Sequence, residues 1–318
     1  MVSKDKGNCK KLTCPYHLWT YDLNGELLHA RGMDSCFPLK EYGLREINIE
    51  VIEGLIYACL DSSAPSNITQ VKKILSPYLA PYFLKGTKIA CQKDMIESCN
   101  WKLVIENNRE CLHCAGNHPE LLVPLHNEGF GTGFDKSNVS TSERKFQTLL
   151  EQKEKEWEEL GLPHRLQEFP DHLWFRTVRL PLANHCLSHT LKPEHACKKL
   201  LGKFKKAESS SLSLWTHPNS WNHFLYDHIV TFMVLPLSVD KTLVRTKWLV
   251  AKDAQEGIDY KVEDLTHVWT CTNAQDQSLA EGAYRGIRSG GYQPGPFSDD
   301  EKLVKQFIGW YKEQFIGH

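Results

Sequence analysis

No stretch of this 318-residue chain is apolar for long enough to cross a bilayer, which takes roughly 20 residues. The longest nearly pure apolar run is Ile229 to Leu237, and Pro236 interrupts it. Neither sign of charge is in excess: 38 Lys and Arg face 39 Asp and Glu, a formal net charge of −1. That balance leaves no basic field for nucleic acid and no polybasic patch for a membrane. The N-terminal residues carry Lys and Cys instead of a basic-then-apolar leader, which argues against secretion. Internal repeats and low-complexity tracts are absent too. What remains is an ordinary folded composition, 41% hydrophobic and 24% charged, in a chain long enough for one large domain or two.

Two residue types stand out. Eleven cysteines, an odd number without a leader, point to a reducing, cytoplasmic setting in which most serve as small core residues. Fifteen histidines, several beside Cys or acidic residues, make metal chemistry worth seeking.

The pattern along the chain predicts α+β architecture. Short strands are expected over Leu12–Tyr21 and Ile47–Leu60, with turn chemistry at Asp22–Gly25 and a linker over residues 61–67. Helices are expected over Asn100–His113, Ser140–Leu160 and Val262–Tyr284, and again after the capping box Ser298/Glu301. Strands are expected at His172–Leu180, His228–Leu237 and Thr242–Val250.

The densest chemistry lies in Glu110–Cys–Leu–His113–Cys–Ala–Gly–Asn–His118. On one continuous helix Glu106, Glu110 and His113 share a face. His113 and His118 lie about 140° apart on an ideal helix, so a break near Gly116 or Pro119 is needed for the imidazoles to converge. Two surface histidines at a polar helix end satisfy the same pattern. So does half a zinc knuckle on Cys111 and Cys114, although no second knuckle follows. Asp276 falls on the apolar stripe Leu265, Val268, Trp269, Thr272, Leu279, where a carboxylate needs a partner. The partner is either an arginine, Arg285 or Arg288, or a metal shared with the two histidines. Two imidazoles and one carboxylate make the facial triad of non-haem Fe(II) oxygenases. Near the N-terminus, Cys14 and His17 form a C-x2-H pair ahead of a strand, weak on its own.

With these residues together, the chain resembles the large (alpha) subunit of Rieske non-haem iron oxygenases, and within it the glycine betaine, choline and carnitine monooxygenase branch. Cys14-Pro-Tyr-His17-x-Trp-x-Tyr-Asp-x-x-Gly25 is similar to the second half of the cluster-binding motif. Asn100-Trp-Lys, then Glu106-Asn-Asn-x-Glu110-Cys-x-His113-Cys-x-x-x-His118-Pro119, is similar to the iron-helix signature. Val268-Trp-x-x-Thr-Asn-x-Gln275-Asp276 and Tyr292-x-Pro-Gly-Pro296 are similar to the C-terminal blocks.

The resemblance implies a partial Rieske β domain over 1–65 and, over 66–318, a helix-grip-like catalytic domain with an antiparallel sheet and packed helices. It implies mononuclear Fe(II) on His113, His118 and Asp276. Glu110 would relay an electron from a neighbouring subunit, and Cys14 and His17 would supply half the ligands of a [2Fe–2S] cluster. It further implies a homotrimer, a flavin and iron–sulfur reductase fed by NAD(P)H, and O2-dependent hydroxylation and N-demethylation of a quaternary ammonium compound such as glycine betaine.

The family's C-x-H pair lies roughly 16 to 18 residues before the second cysteine, and no histidine precedes His17. The expectation is therefore an N-terminally truncated member. Its alternatives are a choline-, carnitine- or ring-oxidising relative, or a non-catalytic module that binds metal or ligand. A cationic substrate calls for aromatic faces. Trp215, Trp221, Phe224, Tyr226 and Trp269 are candidates by composition, and core packing explains them equally well.

Overall fold

The computed structural model describes residues 2, 7–61, 67–128, 140–169 and 175–315. They form two compact units, one of residues 1–51 and 56–66, the other of 52–55 and 67–318.

In the first unit β1 (Leu12–Thr13), β2 (Thr20–Tyr21) and β3 (Leu27–His29) make a small antiparallel sheet. Asp22 builds the turn between β2 and β3: its Oδ1 accepts from the backbone N–H groups of Asn24 and Glu26, both at 2.9 Å. Tyr21, Leu27 and Ala30 are buried against Leu12, Trp19, Phe37, Leu39 and Leu44. A separate hairpin joins β4 (Asn48–Ile52) to β5 (Leu55–Cys59) through Glu53–Gly54. Both turn residues have positive φ, the conformation that a type I′ hairpin turn requires.

The second unit begins with α1 (Ile68–Leu79) and is organised on one seven-stranded sheet. Its strands are β6 (Thr87–Glu97), β7 (Gln167–Phe169), β8 (Phe175–Pro181), β9 (Ser210–Thr216), β10 (Ser220–Phe224), β11 (His228–Ser238) and β12 (Lys241–Ala251). They run β6-β12-β11-β10-β9-β8-β7, each antiparallel to its neighbour. β12 alternates strictly along Thr242, Val244, Thr246, Trp248 and Val250, all buried, as a sheet covered on one face demands. Burying a side chain of that size stabilises the fold by about 1.5–3 kcal/mol.

Helices flank the sheet: α2 (Trp101–Asn108), α3 (Cys114–Asn117), α4 (Thr141–Glu159), α5 (Val262–Ile287) and α6 (Lys302–Phe315). The Ser140/Glu143 capping box starts α4, and Gly161 at φ +65° stops it. The Ser298/Glu301 box opens a short 3-10 turn that leads into α6. None of the described helices is long and apolar enough to cross a membrane.

Several expectations need correction. The helix read over Asn100–His113 ends at Asn108, consecutive Asn107 and Asn108 being poor helix formers. Leu112, beyond that end, is exposed. Of the strand read over His172–Leu180, residues 172–174 lie outside the described residues. β6, β7, β9 and β10 fall outside every strand expected from the sequence. Nor are most free cysteines in the core: Cys99, Cys186 and Cys197 are buried, the other six partly or fully exposed.

Candidate metal centre

Beyond α2 the chain turns twice in ten residues, and those turns build the centre. Glu110 to His113 make the first turn, closed by a disulfide between Cys111 and Cys114. One helical turn follows as α3, with His113 at its N-cap and His118 at its C-cap. Asn117 Nδ2 donates to the His113 carbonyl at 2.8 Å and the His118 N–H to the Cys114 carbonyl at 2.9 Å, which locks the short helix. Glu106 therefore does not share a helix face with Glu110 and His113. Instead Glu110 folds back on the turn, its Oε1 2.5 Å from His113 Nδ1, while its Oε2 accepts from the Leu112 N–H.

The third group arrives from α5. Buried Val268, Trp269 and Thr272 hold that helix on the sheet, and Asn273 Nδ2 donates to Thr246 Oγ1 at 2.9 Å. Asp276 is one turn further on. Its Oδ1 lies 3.0 Å from His118 Nε2 and 3.3 Å from His113 Nε2. Neither Arg285 nor Arg288 takes that place, and Arg288 Nη1 donates to Tyr284 Oη.

Both imidazoles are aimed by a partner on the opposite nitrogen. Glu110 accepts from Nδ1–H of His113. Gln275 Oε1 accepts from Nδ1–H of His118 at 2.8 Å, and Gln275 Nε2 donates to Glu120 Oε2 at 2.8 Å, so the amide can face only one way. With Nδ1–H engaged on each ring, both Nε2 lone pairs face Asp276, which is how metal-binding histidines are oriented.

The charges favour a cation. Burial pulls the His113 imidazole down, yet Asp276 and Glu110 outweigh it and lift the group to about 9. His118 is raised by the same balance of burial against Asp276. Burial pushes the Asp276 carboxyl up, and the two histidines more than compensate, leaving it below its usual range. A divalent cation carries the same charge into the same place and releases those protons.

The donor set fits such an ion. Ligands about 2.1 Å from one metal and at right angles lie about 3.0 Å apart, the spacing seen around Asp276 Oδ1. That oxygen is sealed from solvent without a hydrogen bond of good geometry. His118 is 1% exposed while His113 and Asp276 are 17% and 28% exposed, so one side of the centre is open. Cys114 Sγ is close enough to be counted with the histidines, but it is bonded to Cys111. A zinc knuckle on Cys111 and Cys114 is therefore not what this structure shows.

Cys14 and His17 lie in the first unit, on the loop between β1 and β2. The Cys14 N–H donates to the Trp19 carbonyl at 2.9 Å and the Leu18 N–H to the Cys14 carbonyl at 3.0 Å, with Leu18 at φ +62°. This tight loop carries a C-x2-H pair, but residues 1–44 contain no C-x-H pair. A Rieske cluster takes two Cys and two His, so the residues present fit half of one. Of the aromatic candidates, Trp221 stacks on Phe232 at 4.9 Å and Trp269 stands edge-on to the same ring at 4.9 Å. Tyr226 packs on Phe204 at 4.5 Å, and Trp215 and Phe224 are buried.

Two imidazoles and a carboxylate on one side of an ion, beneath an antiparallel sheet with packed helices, define a catalytic domain of the non-haem iron type. The chain belongs to the ring-hydroxylating oxygenase alpha-subunit family. The family "Ring hydroxylating alpha subunit (catalytic domain)" matches residues 87–316, and "Rieske [2Fe-2S] domain" matches residues 1–44. Members use mononuclear iron together with a Rieske cluster. The chain is 41% identical over 316 residues to the glycine betaine monooxygenase oxygenase subunit of Pseudomonas aeruginosa (strain UCBPP-PA14), covering 99% of this chain and 72% of the relative. To the subunit of the same name in Chromohalobacter salexigens it is 39% identical over 318 residues, covering 99% and 69%. In fold it is similar to the quaternary ammonium Rieske monooxygenase CntA in complex with L-carnitine, with a TM-score of 0.60 at 18% identity, over 98% of this chain and 74% of that one.

Sequence reasoning missed Gln275 and Glu120, which aim His118, and Glu97 behind Asp276. Burial pushes the Glu97 carboxyl up to about 7, with Cys99 pulling against it and the charge of Asp276 adding to it. Gln275 had a signal, since it directly precedes the carboxylate on the helix; Glu120 and Glu97 had none.

Proposed function

We propose that this chain is the oxygenase component of a Rieske-type monooxygenase that demethylates a quaternary ammonium compound, with glycine betaine as the substrate. The observation that carries the reading is the convergence of His113 Nε2, His118 Nε2 and Asp276 Oδ1, with both Nδ1 atoms already engaged. The names of its 41%- and 39%-identical relatives supply the substrate. Residues 1–65 serve as the Rieske-type part and 66–318 as the catalytic domain, a division supported by the two compact units.

His113, His118 and Asp276 would hold the iron, which supplies O2 activation and the oxidising power for a C–H bond. Glycine betaine, O2, two electrons and two protons become dimethylglycine, formaldehyde and water: hydroxylation of one N-methyl gives a hemiaminal that expels formaldehyde. Glu110 keeps the His113 proton on Nδ1 and, as the bridge toward a neighbouring subunit in a homotrimer, marks where an electron arrives. Gln275, held by Glu120, does the same orienting work for His118. The electrons originate in NAD(P)H and pass through a flavin and iron–sulfur reductase, which places the reaction in the cytoplasm. No step is assigned to Cys14 and His17, which supply two donors where a cluster needs four.

The test supplies the missing half. The chain is mixed without oxygen with iron, a reductase, and a family oxygenase subunit that has an intact Rieske domain and a disabled mononuclear site, and O2 is then admitted. Formaldehyde and dimethylglycine from glycine betaine are expected. If no quaternary amine yields formaldehyde while iron is bound, the chain is a metal-binding module and the proposal fails.

A further inference from the structure

Between the sheet and the first half of α5 lie three histidines that the metal centre does not use. His189, His223 on β10 and His228 on β11 are all buried, and the Nε2 of each is sealed from solvent without a hydrogen-bond partner. The rings of His189 and His223 are 5.3 Å apart, those of His189 and His228 6.3 Å. A small cavity lined by Leu125, His126, Glu128, Ser211, Ser213 and His223 reaches one of them, His223.

The partners on the other nitrogens decide what this cluster can bind. His189 Nδ1 lies 2.9 Å from Trp269 Nε1. An indole N–H only donates, so Nδ1 is the acceptor and neutral His189 carries its proton on Nε2. His189 therefore offers a buried N–H, not a lone pair, and the trio is no second metal site. His228 Nδ1–H is engaged by Asp227 Oδ1 at 2.8 Å, and His223 Nδ1 faces Ser213 Oγ at 3.2 Å. A buried N–H without an acceptor is rare and costly, so either an internal water or a ligand oxygen completes it.

One helix links this cluster to the metal centre. Trp269, which fixes His189, and Asp276 stand on the same helix seven residues apart, about 10.5 Å along its axis. A methyl carbon and a carboxylate oxygen on opposite sides of a quaternary nitrogen are separated by four bonds with glycine-like lengths, about 5 Å when extended. With the gap from methyl to ion added, that length is of the same order as the separation of Trp269 and Asp276 along α5.

We infer that His189 Nε2–H is a substrate-binding donor for the carboxylate of a zwitterionic quaternary ammonium substrate, the end remote from the reacting methyl. The inference rests on the quaternary ammonium reading above and adds the anionic end to it. His223 and Ser213 form the wall beside it, and Trp269 sets both the tautomer and the height of the donor.

Binding decides the matter without turnover. Calorimetric titration of the oxygen-free full chain would compare glycine betaine with tetramethylammonium, which keeps the cation and lacks the carboxylate. Wild type is expected to prefer glycine betaine. His189→Phe should lower the glycine betaine affinity by roughly ten- to hundredfold, the worth of one hydrogen bond to a charged acceptor, and leave tetramethylammonium within about twofold. His189→Gln, which restores an N–H near the same point, should recover most of the loss. Equal loss of both ligands would show a structural role and overturn the inference, as would no loss of either, the sign of an internal water. Wild type binding neither ligand would overturn the quaternary ammonium reading and this subsite with it. Wild type binding both equally would overturn the subsite alone, and that ratio still decides the question if His189→Phe does not fold.

Discussion

Replacing Gln275 with Leu takes away the acceptor for His118 Nδ1–H and leaves the three donors of the centre in place. Leu is close to Gln in length, and Glu120, which loses its bond to the amide, is open enough to rehydrate. His118 is not: at 1% exposure its ring cannot turn to water for a new partner. A buried donor stripped of its acceptor costs about 1–3 kcal/mol. Separately, loss of an orienting partner behind a metal-bound histidine lowers metal affinity by about 10- to 100-fold, or about 1.4–2.7 kcal/mol. The assay is competition for Fe(II) between the oxygen-free protein and a chelator of known affinity. Asp276→Ala serves as the reference, because removing a donor should exceed the effect of removing an orienter and leave a folded chain that retains no iron. An unchanged Fe(II) affinity in Gln275→Leu, or iron retained by Asp276→Ala, would refute the assignment of the centre.

The remaining predictions concern stability and the cysteines. Asp227 is fully buried and accepts from Ala196 N (2.8 Å), Cys197 N (3.0 Å), Ser188 Oγ (2.5 Å) and His228 Nδ1 (2.8 Å); Asp227→Asn should cost about 3–5 kcal/mol in urea unfolding. Burial pushes the Asp227 carboxyl up, but His228, Ser188 and the backbone outweigh it and hold it below its usual range. Its stabilisation is therefore complete above about pH 4 and withdrawn as pH falls through the lower folded value, an acid limb that Asp227→Asn should flatten in urea melts. Cys111→Ser with Cys114→Ser should leave iron per chain unchanged by elemental analysis, since the sulfurs bind each other; a loss would make them ligands.

Legibility in the sequence followed how each residue is buried. β12, α4 and α5 face the core on one side, and their periodicity marks them, while β11 shows as the apolar run Ile229 to Leu237. All seven residues of β9 are buried, Ser210, Ser211 and Ser213 among them, so no alternation exists to be read and the serines argue for a loop. β6 mixes Lys, Gln and Asp with Ile and Met and pairs only at the sheet edge. In the site, His113, His118 and Asp276 were readable as residue types in a pattern, and the resemblance grouped them. The turn that brings Glu110 to His113 was not, because it depends on α2 ending early. His189 was invisible for a simpler reason: a lone histidine acquires a defined proton only when Trp269, 80 residues away, arrives beside it.

α5 carries a metal donor and the indole that sets His189 on one rigid rod. A helix cannot be stretched by small steps. Each inserted residue advances it about 1.5 Å and also swings everything beyond by about 100°. One residue added between Trp269 and Asp276 would carry the carboxylate off the two imidazoles before it lengthened the site usefully. The interval between the two ends of a substrate is therefore fixed by the helix, while β9, β10 and β11 are free to vary side chain by side chain. Engineering for longer or shorter substrates belongs on those strands, and a length-altering change within α5 should cost metal binding first.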